Sequence, residues 1–146
     1  MNPPLVKHFP TRERLAVRWA DMDALGHVNN ARYFTYFECA RFRWFEDVGV
    51  WRLRRHEQEG PILASASCEF RRQLKYPAAI EVGARATRLG RSSVDVEYRL
   101  ALEGESDAIA DGRSTIVWVD YSSGRSTPWP DALRDSIVAW DGLPRT

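Results

Sequence analysis

Asp21-Met-Asp-Ala-Leu-Gly-His-Val-Asn-Asn30 runs without a break into Ala31-Arg-Tyr-Phe-Thr-Tyr-Phe-Glu-Cys-Ala-Arg-Phe-Arg-Trp-Phe45. Two carboxylates, a histidine and two amides are followed at once by apolar residues at helical spacing. On a helical wheel Tyr33, Phe34, Phe37, Ala40, Trp44, Phe45 and Val48 share one broad face. Glu38 and Arg41, three residues apart at its edge, are placed to pair. Tyr36, Cys39 and Phe42 lie elsewhere on the wheel, which leaves only a narrow polar face at Arg32, Arg43, Glu46 and Asp47. The spacing predicts a helix over 31–48, capped by Asn29 or Asn30 and stopped by Gly49. A helix apolar over most of its circumference has to be wrapped by a sheet or by a partner subunit. The first N–H groups of a helix lack partners within it, so a polar loop feeding such a helix gathers side chains and free donors around one point. That point is the candidate site.

The flanks supply the sheet. Leu15, Val17 and Trp19 alternate with Arg14, Ala16 and Arg18, the period of a half-buried strand beginning near Arg12, after an irregular arm with three prolines in residues 1–10. Downstream, Trp51 to Gly60 is a charged connection with room for a helical turn, and its basic cluster reads as a solvated face. A second strand has Ile62, Ala64, Ala66, Cys68 and Phe70 on one side, and a third has Ile80, Val82, Ala84 and Ala86, with the break Lys75-Tyr-Pro77 between them. Leu89-Gly-Arg-Ser-Ser93 has hairpin chemistry. Val94, Val96, Tyr98, Leu100 and Leu102 form the cleanest alternation, a fourth strand. A fifth spans 108–121, and a short helix covers 131–140. Hairpin-linked strands run antiparallel and one helix covers one sheet face, so the class is α+β: a long helix across a curled antiparallel sheet of about five strands.

A chain of 146 residues fits one domain, 1–146. With 21 basic and 20 acidic residues the net charge is +1, so no global field points to nucleic acid or to an anionic membrane. No apolar run reaches transmembrane length and no signal-peptide core opens the chain, which suggests the cytoplasm. Cys39 and Cys68 form no Cys-x-x-Cys pair and no Cys/His cluster at zinc spacing, so no metal and no cofactor are expected. The 12% aromatic content, with six Trp, suits a tightly packed oligomer or a site for an apolar ligand.

Asp21-x-Asp23-x-x-Gly26-His27-Val28-Asn29-Asn30-x-x-Tyr33, continued by Tyr36-Phe37-Glu38-x-x-Arg41, resembles the hotdog-fold acyl-CoA thioesterases of the 4-hydroxybenzoyl-CoA thioesterase-like family. The motif spans residues 19–45, and the element order agrees over roughly the whole chain. The resemblance implies a central helix held in the sheet, subunits joined edge to edge as homodimers or homotetramers, and an acyl-CoA substrate. It implies that Asp23 is the catalytic carboxylate, that Gly26 allows the tight loop, and that the backbone N–H near Asn30 polarises the thioester carbonyl. His27 orients water or substrate, or is a hydrogen-bonded loop histidine. Asp21 holds the loop or pairs with an Arg. Tyr33, with Phe34 and Phe37, is placed to line the acyl pocket or to pack the core. Glu38 is a second carboxylate, as in another hotdog branch, or the partner of Arg41. The family often contacts the nucleotide at the turn carrying Arg88, Arg91, Ser92 and Ser93, of which Arg91 and Ser92 are the leading candidates, while Arg71, Arg72 and Lys75 form a second basic patch.

A thioester has a good leaving group, so its hydrolysis gains most from a base and from donors aimed at the developing oxyanion. The chain departs from the best-known branch, which has Pro after the catalytic Asp and a bulky residue at the position of Asn30. Acyl specificity therefore stays open, as does the choice between Asp23 as general base and as nucleophile. The rival readings are a hotdog enoyl-thioester hydratase and a non-catalytic acyl-thioester or lipid-binding protein.

Overall fold

The computed structural model describes residues 8–144. In chain order these form β1 (Thr11–Ala16), a 3-10 turn at Trp19–Asp21, α1 (Asn30–Val48), α2 (Val50–Leu53), β2 (Glu59–Phe70), β3 (Ala79–Leu89), β4 (Ser93–Leu102), β5 (Ala108–Asp120) and α3 (Asp131–Asp141). The five strands make one antiparallel sheet in the order β1-β3-β4-β5-β2. The sheet curls around α1, which is the hotdog arrangement.

Alternation sets the inner face. Ile80, Val82, Ala84 and Ala86 of β3 and Val94, Val96, Tyr98 and Leu100 of β4 are all buried, against Tyr33, Tyr36, Phe37, Ala40, Trp44, Phe45 and Val48 of α1. The helix lies very close to β5. A Cβ built on Gly112 would stand 2.5 Å from Phe37 Cε2, so the absence of a side chain there is what lets the aromatic ring sit on the sheet. Gly49, at φ +84°, takes the left-handed conformation that ends α1. α3 closes one end: Leu133 and Ile137 are buried, the Trp118 and Trp129 rings pack at 4.7 Å, and Ser136 Oγ donates to the Val48 carbonyl at 2.6 Å.

Three local expectations need correction. The first strand ends at Ala16 and Trp19 does not face inward; it is 76% exposed, because the Asp21 carboxylate captures the Arg18 N–H and folds Trp19–Asp21 into a 3-10 turn. In β2 the ladder shifts between Leu63 and Ser65, so Leu63, opposite Ile116, shares the inner face with Ala66, opposite Ser114. Ile62 and Ala64 therefore do not continue the row of Ala66, Cys68 and Phe70, since one extra residue reverses the alternation. On α1, Phe34 is 40% exposed whereas Tyr36, expected off the apolar face, is buried. β2 is an edge strand that α1 covers poorly: Ile62, Leu63 and Phe70 are each 44–49% exposed.

Candidate active site

The loop between the 3-10 turn and α1 is closed by its own backbone. The Asp23 N–H donates to the His27 carbonyl at 2.8 Å, the Gly26 N–H donates to the Asp23 carbonyl at 3.2 Å, and Gly26 has φ +85°. Below it, Met22 and Val28 form a bridge, and the Val28 N–H donates to the Leu74 carbonyl at 2.8 Å, which ties the loop to the segment after β2. One oxygen of Asp23, Oδ1, accepts the Leu25 N–H at 2.8 Å as an Asx turn; among the described residues Oδ2 has no hydrogen-bond partner. Asp23 and His27 are both partly exposed, at the mouth of the loop.

Asn29 is the N-cap of α1, with its Oδ1 accepting the Ala31 N–H at 2.9 Å. The Arg32 N–H donates to the Asn29 carbonyl and the Asn29 N–H to the Asp21 carbonyl, both at 2.9 Å. The Asn30 N–H remains. Among the described residues no protein acceptor takes it, so it is the free donor at the positive end of a 19-residue helix.

Asp21 is the anchor beneath, as a pairing with a nearby Arg requires. It is buried, and its carboxylate accepts the Tyr36 hydroxyl at 2.7 Å, the Arg18 N–H at 3.0 Å and the Arg18 Nη2 at 2.9 Å, with Arg32 Nε at 3.8 Å. Burial pushes its pKa up, but the Tyr36 hydroxyl and the Arg18 donors outweigh burial and hold it below the usual value. Tyr36 and Arg18 are the residues that sequence reading missed. Tyr36 stands 15 positions from Asp21; the motif contains both, but its spacing does not pair them, and only the fold brings them together.

The other expected site residues are unevenly placed. Tyr33 is buried and packs edge-on against Phe70 at 4.9 Å, as a core residue. Phe34 and Phe37 instead line a cavity of ≈ 150 Å³ beside α1 with Glu38, Arg41 and Tyr98. Glu38 and Arg41 form an ion pair at 3.8 Å, with Glu38 exposed and Arg41 buried. Arg91 and Ser92 are not brought to the loop within this chain. The loop sits where β3 begins, and their turn follows the last residue of β3, so the 11 residues of the strand separate them by roughly 30 Å. Their carbonyls serve the fold: Arg91 accepts from Trp129 N and Ser92 from Trp118 N and Trp129 Nε1. Arg88 is paired with Asp95 at 2.7 Å. Of the second basic patch, Arg71 is held by Asp111 and Arg72 by Asp107, while Lys75 adjoins the Leu74 carbonyl that anchors the loop. Among the described residues no three His, Cys, Asp or Glu side chains are grouped to hold a metal ion, and no helix is long and apolar enough to cross a membrane.

The sequence profile of the thioesterase-like superfamily matches residues 17–137. The chain belongs to that superfamily. Its members' chemistry makes this protein a thioester hydrolase. The solved PA5185 protein of Pseudomonas aeruginosa strain PAO1 is 34% identical and superimposes with a TM-score of 0.83, over 96% of this chain and 97% of that one. A thioesterase of Thermus thermophilus, solved in complex with coenzyme A and zinc, is 35% identical, with a TM-score of 0.81 over 95% of this chain and 99% of that one. The long-chain acyl-CoA thioesterase FadM of Escherichia coli (strain K12) is 23% identical over 85% of this chain and 94% of its own. In this thioesterase the matched region contains both the Asp23 loop and the whole of α1.

Proposed function

We propose that this thioesterase hydrolyses an acyl-CoA to the free acid and CoA, with Asp23 as the catalytic carboxylate and the Asn30 N–H as the oxyanion donor. The observation that carries the reading is the unpaired Asn30 N–H at the start of α1, next to a loop that leaves Asp23 Oδ2 free. As a base, Asp23 takes a proton from water. The hydroxide adds to the carbonyl carbon, negative charge gathers on the carbonyl oxygen facing the Asn30 N–H, and collapse expels the CoA thiolate. As a nucleophile, Asp23 forms a mixed anhydride with release of the thiolate, and water then cleaves it. Either route uses the same donor and the dipole of α1. His27, at the loop mouth, orients the water or the thioester.

The relative solved with coenzyme A supports a CoA ester as substrate. Residues 1–146 act as one hydrolase domain in this reading, and the exposed β2 edge with Ile62, Leu63 and Phe70 fits a homodimer, or a homotetramer built from it, formed by edge pairing. Such pairing in antiparallel sense sets one subunit's loop end beside the other's β3–β4 turn, which is how Arg91 and Ser92 would reach a bound nucleotide. Cys39 and Cys68, both free thiols, suit a reducing compartment such as the cytoplasm.

The Asx turn of Asp23 favours one rival assignment, in which that carboxylate only shapes the loop and other groups carry the hydrolysis. A panel of acyl-CoAs assayed for thiol release with the native protein and with Asp23→Asn decides between them. The hydrolase reading expects a loss of kcat of at least about 100-fold, since catalytic proton transfer contributes on that order. Equal thiol release by both forms removes Asp23 from the chemistry and leaves the rival, and binding without turnover of every acyl-CoA tried removes acyl-CoA as the substrate. In single turnover in ¹⁸O water, label in the carboxylate of Asp23 identifies the anhydride route.

A further inference from the structure

The cavity beside α1 holds a cation that the catalytic reading does not use. Arg41 is 7% exposed, and its guanidinium carries five N–H donors. Among the described residues these meet only Tyr98 Oη at 3.5 Å and the Glu38 carboxylate at 3.8 Å, and Glu38 is itself 55% exposed. Neither is a short hydrogen bond. Tyr98 is committed elsewhere, to Ser114 Oγ at 2.5 Å, and its ring stacks on Phe37 at 5.2 Å. A buried guanidinium with open donors is costly unless an acceptor arrives.

Arg41 also lies in line with the site. At about 100° per residue, Asn30, Phe34, Phe37 and Arg41 fall within roughly 60° of one another, one stripe along α1. The guanidinium leans back to the level of Glu38, about 12 Å along the axis from Asn30. Phe34, Phe37, Leu63 and Ala66 line the cavity with Tyr98 and the charged groups Glu38, Arg41 and Arg113, of which Arg113 is exposed and Arg41 alone is a buried cation; its ≈ 150 Å³ has room for the end of an acyl group.

Resting on the hydrolase reading above, we propose that this cavity receives the far end of the acyl group and that Arg41 selects acyl groups of medium length ending in an oxygen that accepts hydrogen bonds, a carboxylate above all. The aromatic stripe carries the apolar middle, and the terminal oxygen satisfies the donors left open by Glu38 and Tyr98. A purely apolar chain of the same length displaces water from the open guanidinium donors without replacing its hydrogen bonds, and sites built to hydrogen-bond a substrate group reject such analogues strongly.

The test compares straight-chain acyl-CoAs with their ω-carboxy and ω-hydroxy counterparts of equal length, at two medium lengths, for the native protein, Arg41→Met, Arg41→Lys and Tyr98→Phe. In the native protein kcat/KM for the ω-carboxy ester exceeds that for the plain ester by about tenfold or more. In Arg41→Met that ratio falls to about one; in Arg41→Lys, which keeps the charge with fewer donors, it is intermediate. Should Arg41→Met fail to fold, the Arg41→Lys ratio carries the test, and Tyr98→Phe, which frees a further guanidinium donor, keeps the ω-carboxy preference. Calorimetric binding of the same esters to Asp23→Asn separates the two readings: discrimination in binding without turnover by the native protein removes the hydrolase reading and keeps the role of Arg41. Turnover with a native ratio at or below one, or an unchanged ratio in Arg41→Met, overturns the proposal. An unchanged ratio accompanied by a smaller assembly in Arg41→Met assigns the guanidinium to a second copy of the chain instead.

Discussion

Replacing Tyr36 by Phe removes one atom from the anchor of the site. The lost bond is a hydroxyl to a buried carboxylate at 2.7 Å, and hydrogen bonds to charged groups contribute about 1.5–3 kcal/mol. Asp21 Oδ2 keeps the Arg18 N–H at 3.0 Å, so it is not orphaned, and the lower part of that range, roughly 1.5–2 kcal/mol, applies. For a chain of this size that is a fall in Tm of about 4–8 °C. The pH dependence follows from the same contact. The pKa of Asp21 is lowered in the fold, so its contribution is present above its ordinary value of 3.8 and is lost as pH falls below it. The gap between native and Tyr36→Phe in urea unfolding should therefore be full at pH 7 and shrink in acid as Asp21 protonates. A double-mutant cycle with Asp21→Asn should give a coupling of about 1 kcal/mol or more. A variant as stable as the native protein at pH 7, a gap that ignores pH, or a coupling near zero refutes Asp21 and Tyr36 as the anchor.

Asp141 behaves in the opposite sense. Burial between α1 and α3 raises its pKa to about 6 despite the Trp44 indole that donates to it at 2.8 Å, so its stability is full below 3.8 and is lost as pH rises through about 6. Asp141→Asn should gain roughly 1–3 kcal/mol at pH 8 in urea titrations and nothing at pH 4. Glu59 is buried, yet the Arg55 guanidinium and N–H bring it down to about 2, so its contribution holds above 4.5 and disappears as pH falls through about 2. With Arg55 half exposed, Glu59→Gln should cost about 1–2 kcal/mol at pH 7, with the difference fading in acid when followed by circular dichroism. Gly112→Ala should cost about 1–3 kcal/mol, because the added Cβ meets the Phe37 ring and must push α1 off the sheet; a thermal melt unchanged from the native protein would contradict that packing.

The sequence by itself determined what depends on neighbours along the chain. Alternation marks β3 and β4, helical spacing together with Asn29 and Gly49 brackets α1 to within a residue, and the run from Asp21 to Asn30 already carries the loop, its cap and the free donor. Those features are local because hydrogen bonds within the loop and the helix reach only a few residues. Tertiary structure alone decided the rest. β2 pairs with β5 rather than with β3, which follows it in sequence, and a shift after Leu63 reverses which residues face inward; neither leaves a trace in spacing. Packing also chose among residues of equal promise. It buried Tyr33 and Tyr36, left Phe34 at a cavity, joined Tyr36 to Asp21, and carried Arg91 and Ser92 to the opposite end of β3 from the Asp23 loop. A period shows which way a side chain points, but what it meets there is set by strands that lie far away in the chain.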